Sequence, residues 1–169
     1  MDYTNTANNY ANMAKNYTNM AKNYINTTNN QANTTNNQAN MANNYKNQQI
    51  MTAPPEQLTL MLYNGAIRFI TESIQALEQG DLAKSNNANL RAQDVVREFM
   101  CTLDMKYEIS SNYAALYDYI EYRLIQGNIK KDKAQLAEAQ TMLQELRDTW
   151  GEAMKIAKAN RPQQSYAQG

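Results

Sequence analysis

Residues 52–80, "TAPPEQLTLMLYNGAIRFITESIQALEQG", decide the fold class. Thr52 or the Pro54–Pro55 pair sets a helix start, because proline fits a first turn whose amides have no intrahelical partner, and Gly80 supplies the stop. Between them apolar residues recur at helical spacing in two adjacent stripes. One is Leu58, Leu62, Ala66 and Phe69; the other is Leu60, Tyr63, Ile67, Ile70, Ile74 and Leu77. A helix apolar over so wide an arc must be covered on more than one side. It is expected to be central to a bundle, with Gly65 letting a neighbour come close.

Working outward, three further helices follow. The second is expected to start at Asp81 as N-cap and to run through "LAKSNNANLRAQDVVREFMCTLDM", with a polar first half and bulk from Leu90, Val95, Val96, Phe99, Met100 and Leu103. The third, "EISSNYAALYDYIEYRLIQGN", is expected to end near Gly127, with Ile109, Tyr113, Leu116, Ile120 and Leu124 facing one way and Tyr119, Tyr122 and Ile125 elsewhere. The fourth starts at Asp132 and presents Leu136, Ala139, Leu143, Leu146, Trp150 and Met154. After about Lys158 the chain turns polar, and Pro162 ends regular structure. Connections of a few residues make sequential helices antiparallel neighbours. The expected fold is all-α, an antiparallel up-down four-helix bundle with no competing strand signal.

Upstream the composition changes. Residues 1–51 are about a third Asn, and Asp2 faces only Lys15, Lys22 and Lys46. A seven-residue unit repeats from Tyr3: YTNTANN, YANMAKN, YTNMAKN, YINTTNN, QANTTNN, QANMANN and YKNQQIM. Tyr followed by Met three places on is coiled-coil spacing. Asn and Thr are poor helix formers, though, the middle copies put Gln and Thr in the seam, and charged flanks are nearly absent. A low-complexity, largely disordered tail is the expectation, with helical character reserved for the copies around residues 10–23. The Asn-Thr-Thr triplets at Asn26 and Asn33 match a glycosylation acceptor and are set aside because no secretory signal accompanies them. The chain divides into a tail over 1–44, a bundle with its approach segment over 45–158 and a flexible C-terminus over 159–169.

Composition narrows function. The 169 residues carry no net charge and no basic cluster longer than Lys130-Lys131, so the electrostatic footprint of a nucleic-acid binder is missing. No apolar run reaches a membrane span, and the N-terminus lacks a signal peptide's apolar core, so a cytoplasmic location and no membrane insertion are expected. The chain has no histidine, which removes the commonest general base and metal ligand and argues against an enzyme. A di-iron bundle needs Glu-x-x-His and is ruled out. Cys101, the single cysteine, lies among Phe99, Met100 and Leu103 with no base partner and is expected to be a buried structural thiol. Asp118 and Glu121 fit a solvated face or pairs with Arg123 or lysines. No catalytic, cofactor or metal residue is assigned.

The feature left over is the tyrosine excess of "YAALYDYIEYRL", residues 113–124. Two readings stand side by side. Tyr is amphipathic and sits half-buried at a bundle edge; or the helix borders a surface groove that receives an amphipathic partner segment.

"TAPPEQLTLMLYNGAI", "NYAALYDYIEYRLIQGNIKKD" and "LRDTWGEA", in this order and at these separations, together with the approach segment "YKNQQIMTA", resemble the flagellin-specific export chaperone family, FliS. The likeness covers about residues 45–155. It implies a cytosolic four-helix bundle that binds the C-terminal segment of flagellin one-to-one as a monomer, prevents its premature polymerisation and delivers it to the flagellar export gate. Contact with an anti-sigma factor is implied for some members. The family's N-terminal segment, which lies near the groove and helps regulate access, matches Tyr45 and Ile50. Its helix-three signature matches Asn112, Leu116, Tyr117, Tyr119, Ile120 and Arg123, with Tyr122 in the same run, and the part turned from the core is expected to meet flagellin. Two positions depart from the pattern: Pro54 stands where the family usually has a capping Ser, and Gly151 follows the Trp.

The last repeat copy coincides with the approach segment, so the other copies resemble tandem expansion of it. Neutral expansion of a tolerated tail is one account. A tail whose Tyr3, Tyr10, Tyr17 and Tyr24 repeat the residue type of Tyr45 and compete weakly for the groove is another. A self-associating helical scaffold with no flagellin role remains the alternative from a different class, and sedimentation of the chain alone separates it from a monomeric chaperone.

Overall fold

The computed structural model describes residues 53–159. The repeat tail, Tyr45, Ile50 and the C-terminal ten residues lie outside the described residues. Four helices follow one another: α1 Pro55–Glu78, α2 Leu82–Thr102, α3 Glu108–Lys130 and α4 Lys133–Ala159. Each packs on two others, α1 and α3 both lying against α2 and α4, which is the closed square of an antiparallel bundle. No strand occurs among the described residues.

The termini obey local chemistry. Pro54, in extended conformation, is the N-cap of α1, and its carbonyl accepts from Gln57 and Leu58 at 2.9 and 3.1 Å. Gly80 closes α1 with a φ of 76° that a side chain rarely tolerates. The amide of Asp81 reaches the Ala76 carbonyl at 2.9 Å and that of Gly80 reaches Leu77 at 3.1 Å, the paired bonds of a Schellman end. The side chain of Asp81 then caps α2 through the Lys84 amide at 2.9 Å.

The core is centred on α1, as its two stripes require. Leu58, Leu62, Tyr63, Ala66, Phe69 and Ile70 are buried against Val95, Val96 and Phe99 of α2, Tyr117, Ile120 and Leu124 of α3, and Leu136, Ala139 and Leu143 of α4. Gly65 is buried too. One end of the core is aromatic. Phe99 stacks between Tyr63 and Tyr117, with ring centroids 4.4 and 5.3 Å away, and the two tyrosine hydroxyls bond each other. A buried phenol needs such a partner, and here each supplies the other's.

Several expectations change. The inward row of α3 is Ser110, Tyr117, Ile120, Leu124 and Gly127, with Tyr113 half-buried. Tyr117 takes the place expected for Leu116 because its hydroxyl finds Tyr63, and Leu116 is left exposed. Ile109 is exposed as well, since it lies in the first turn of α3 at the end of the bundle. Gly127 does not end α3, which continues to Lys130 and closes on Lys131 in the left-handed region. Cys101 is exposed rather than buried, one residue from the end of α2.

One polar face of α2, with Ser85, Asn89 and Gln93, is inside, while Leu90 is exposed. Asn89 donates to the Leu124 carbonyl of α3 at 3.1 Å, Gln93 donates to Asn89, and Arg97 donates to Gln93 at 3.0 Å and to Glu121 of α3. Positions four apart on one helix thus build a hydrogen-bonded ladder between α2 and α3. Ser73 of α1 similarly bonds the hydroxyl and carbonyl of Ser85, each at 3.0 Å.

At the start of α4, Asp132 accepts from the Ala134 amide at 2.9 Å and from the Gln135 side chain at 3.1 Å. The Gln135 bond first, then the Ala134 amide, holds this carboxyl below its ordinary range. A lowered folded-state value means the contribution is present above the unfolded carboxylate range and is lost as pH falls through the folded value. Thermal melts of Asp132→Asn and the parent should therefore converge on acidification below about pH 4, the parent falling faster. Parallel acid limbs would show that the cap carries no proton linkage.

Candidate functional site

Helical period divides α3 into three arcs. The inner arc is the core row. One flank meets α2 through Glu121 with Arg97 and Asn128 with Asn86, the latter at 2.7 Å. The other meets α4, and between that flank and open solvent lie Asn112, Leu116, Tyr119, Tyr122 and Arg123. Leu116, Tyr119 and Tyr122 are 38, 38 and 52% exposed, so three bulky side chains follow one another up a single helix face in water. This row is what a partner surface needs and what a closed core does not.

The seam to α4 is held by a compact polar cluster. Tyr119 donates its hydroxyl to Glu138 at 2.7 Å, while Arg123 donates to the Tyr119 oxygen at 2.8 Å and pairs with Glu138 at 3.0 Å. The Arg123 guanidinium also lies over the Tyr119 ring, 5.0 Å from its centroid. The Tyr119 hydrogen bond, with Glu138 beside it, raises the guanidinium above its already high value, so it is charged at any working pH. The cluster fixes an aromatic ring in an exposed place, which lowers the ordering cost of binding something against it. Arg123 therefore pairs with Glu138, and Glu121 with Arg97, rather than with each other.

Of the residues singled out from the sequence, Asn112, Leu116, Tyr119, Tyr122 and Arg123 are brought together here. Tyr117 and Ile120 are turned away, 4 and 0% exposed, and serve the core. Below the row, Met105, Tyr107 and Ile109 at the α2–α3 turn are more than half exposed and extend the apolar surface to the end of the bundle. Sequence reasoning missed the first two and assigned Ile109 to the core. Their signal was bulk in a short connector, where no helix period marks it. Among the described residues no cluster of ligating side chains could hold a metal ion, and no helix is long and apolar enough to cross a membrane.

The sequence matches the model of the family described as flagellar protein FliS over residues 36–157. The chain belongs to the FliS family. The match takes in the repeat copy QANMANN at 38–44 as well as the approach segment. The chain is 38% identical to the flagellar secretion chaperone FliS of Bacillus subtilis over 116 residues, covering 69% of this chain and 87% of that one. It is 32% identical to the flagellar secretion chaperone FliS of Salmonella typhimurium over 104 residues, covering 60% of this chain and 77% of that one. The FliS match takes in α1 to α3 and all but the last two residues of α4, including the exposed row on α3 and the aromatic end of the core.

Proposed function

We propose that this FliS-family chain binds the C-terminal segment of flagellin along the outer α3 face and its seam with α4, keeps it from polymerising and delivers it to the export apparatus. The observation that carries the reading is the row of Leu116, Tyr119 and Tyr122, solvent-exposed and braced by Arg123 and Glu138, in a chain similar to flagellar secretion chaperones. A segment that is unstructured until the filament assembles buries its apolar face by lying on such a row, with no catalytic group required. Residues 45–158 form the working unit, Tyr45 and Ile50 approach the same groove, and the complex is one-to-one with a monomer. Contact with the export gate and with an anti-sigma factor extends the same proposal.

Calorimetric titration of flagellin's C-terminal segment into the full chain tests it. Binding should be saturable at one-to-one, and Tyr122→Asp or Leu116→Asp should weaken it at least about ten-fold, the scale of a central interface residue, with helical content unchanged. Leu90→Asp, an exposed apolar residue on α2, should leave affinity within about two-fold. Equal losses at Leu90 and Tyr122 would place the segment elsewhere. Absence of binding, with the chain sedimenting as a larger species, would leave the scaffold reading.

A further inference from the structure

The outer α3 row is bordered by carboxylates. On α3 itself, Asp118 stands one turn from Tyr122 and Glu108 one turn from Asn112. Across the seam, Glu145 follows Glu138 by seven residues, just under two turns, so both lie on the α4 face that borders α3. Glu138 meets Tyr119 and Arg123, and the two helices run antiparallel, which brings Glu145 level with the stretch from Asn112 to Leu116. Glu108, Asp118 and Glu145 are exposed, and among the described residues none of the three makes an ion pair.

The nearby bases are already engaged. Arg123, the one base within the row, is held by Glu138 and by the Tyr119 oxygen. On α4, Arg147 pairs with Asp148, Lys155 with Glu152, and Lys133 with Glu78 of α1. Lys130, at the far end of α3, has Asp132 beside it. Around the exposed Leu116, Tyr119 and Tyr122, four carboxylates, Glu108, Asp118, Glu138 and Glu145, therefore stand against a single guanidinium.

Such a border selects by charge. An acidic segment laid on the row would bring carboxylates against Asp118 and Glu145. To reach Arg123 it would have to displace Glu138, baring one carboxylate for each one it pairs. A neutral segment gains apolar contact alone. A basic segment gains that contact and a partner on either flank, and the stems of its lysines or arginines cover apolar surface while their heads reach the carboxylates. Asn112 to Tyr122 measures about 15 Å at helical rise, the length of about ten helical residues in an occupant.

We infer that the outer α3 row takes a basic amphipathic helix, its apolar stripe on Leu116, Tyr119 and Tyr122 and its lysines or arginines paired with Glu145 across the seam and Asp118 on the other flank. The inference rests on the reading that this row binds flagellin's C-terminal segment, and it specifies which part of that segment lies there. The acidic border also draws a basic segment in from solution, so it acts on the rate of encounter as well as on choice.

Calorimetric titration of flagellin's C-terminal segment into the full chain at about 0.1 M and about 1 M salt tests it, because the screening length falls from about 10 to about 3 Å between them. At the lower salt Glu145→Lys and Asp118→Lys should each weaken binding about five-fold, since each turns an attraction into a repulsion. Glu98→Lys, the same change of charge on α2 away from the row, should stay within about two-fold. At the higher salt all three should fall within about two-fold of the parent. A segment whose lysines and arginines are replaced by glutamine should bind the parent and Glu145→Lys alike. If the parent binds no segment at either salt, the reading of the row itself is overturned. If the parent binds and Glu145→Lys and Asp118→Lys lose nothing, lose no more than Glu98→Lys, or keep their loss at the higher salt, the row stands and the basic helix is overturned.

Discussion

Gly127→Val should cost about 3 kcal/mol or more in unfolding free energy, from the overpacking of a buried site, seen as a large fall in urea midpoint at unchanged slope. A Cβ at Gly127 would lie 2.5 Å from Cδ2 and 2.9 Å from Cγ of Leu136, and 3.2 Å from the Asp132 carbonyl oxygen. Leu136 is wholly buried between helices and has nowhere to go. The Gly127 carbonyl also accepts the Asp132 amide at 3.0 Å, which closes α3 before the chain turns into α4. Helix propensity acts the other way, since Gly→Ala inside a helix gains about 1 kcal/mol. The sign for Gly127→Ala therefore decides between the two: the clash should win and leave a net loss of about 1–2 kcal/mol. In a double-mutant cycle Leu136→Ala, which vacates the space, should couple to Gly127→Ala by more than about 1 kcal/mol. A stabilised Gly127→Ala would mean the turn relaxes and the close approach is not needed.

The same glycine shows what the sequence could and could not disclose. Gly127 and Gly80 look alike as helix stops, and only Gly80 has the positive φ that requires glycine. Gly127 is there for contact, and contact with a residue of the next helix leaves no local mark. The stripes of α1 were legible because none of their apolar residues is left exposed: Leu58, Leu62, Tyr63, Ala66, Phe69 and Ile70 are buried and Leu60, Ile67, Ile74 and Leu77 half-buried, so period and burial run together. On α3 they part. Tyrosine suits both core and surface, and the choice between Leu116 and Tyr117 for the inner place rests on a hydroxyl partner, Tyr63, on another helix. Of the candidate row, Tyr119 and Tyr122 could be read from tyrosines recurring off the core face; Arg123 came only with the family likeness, and the brace from Glu138 left no mark. Cys101 shows the opposite error, an apolar neighbourhood in sequence that becomes an exposed helix end in space. In α2 the inward polar ladder went unread, although the spacing of Asn89, Gln93 and Arg97, each four apart, marks one face.

That ladder underlies the second large effect. Asn89→Ala should lower stability by about 2–3 kcal/mol, because it leaves the buried Gln93 amide without the oxygen it donates to as well as removing a bond of its own. The loss exceeds a simple hydrogen-bond deletion, since an unsatisfied buried group carries its full desolvation penalty. Gln93→Ala should cost less, about 1–2 kcal/mol, because Arg97 keeps Glu121 and Asn89 keeps the Leu124 carbonyl. Replacing both by apolar residues, Asn89→Leu with Gln93→Leu, removes donor and acceptor together, and the pair should be far less damaging than the sum of Asn89→Ala and Gln93→Ala. Apolar packing has no preferred height, whereas Asn89 bonded to the Leu124 carbonyl fixes how far α2 slides along α3. The apolar double variant should therefore keep its melting temperature but lose amide-exchange protection and spectral dispersion around Leu124. If it stays as well ordered as the parent, aromatic packing of Phe99 on Tyr117 alone sets the register of α2 and α3.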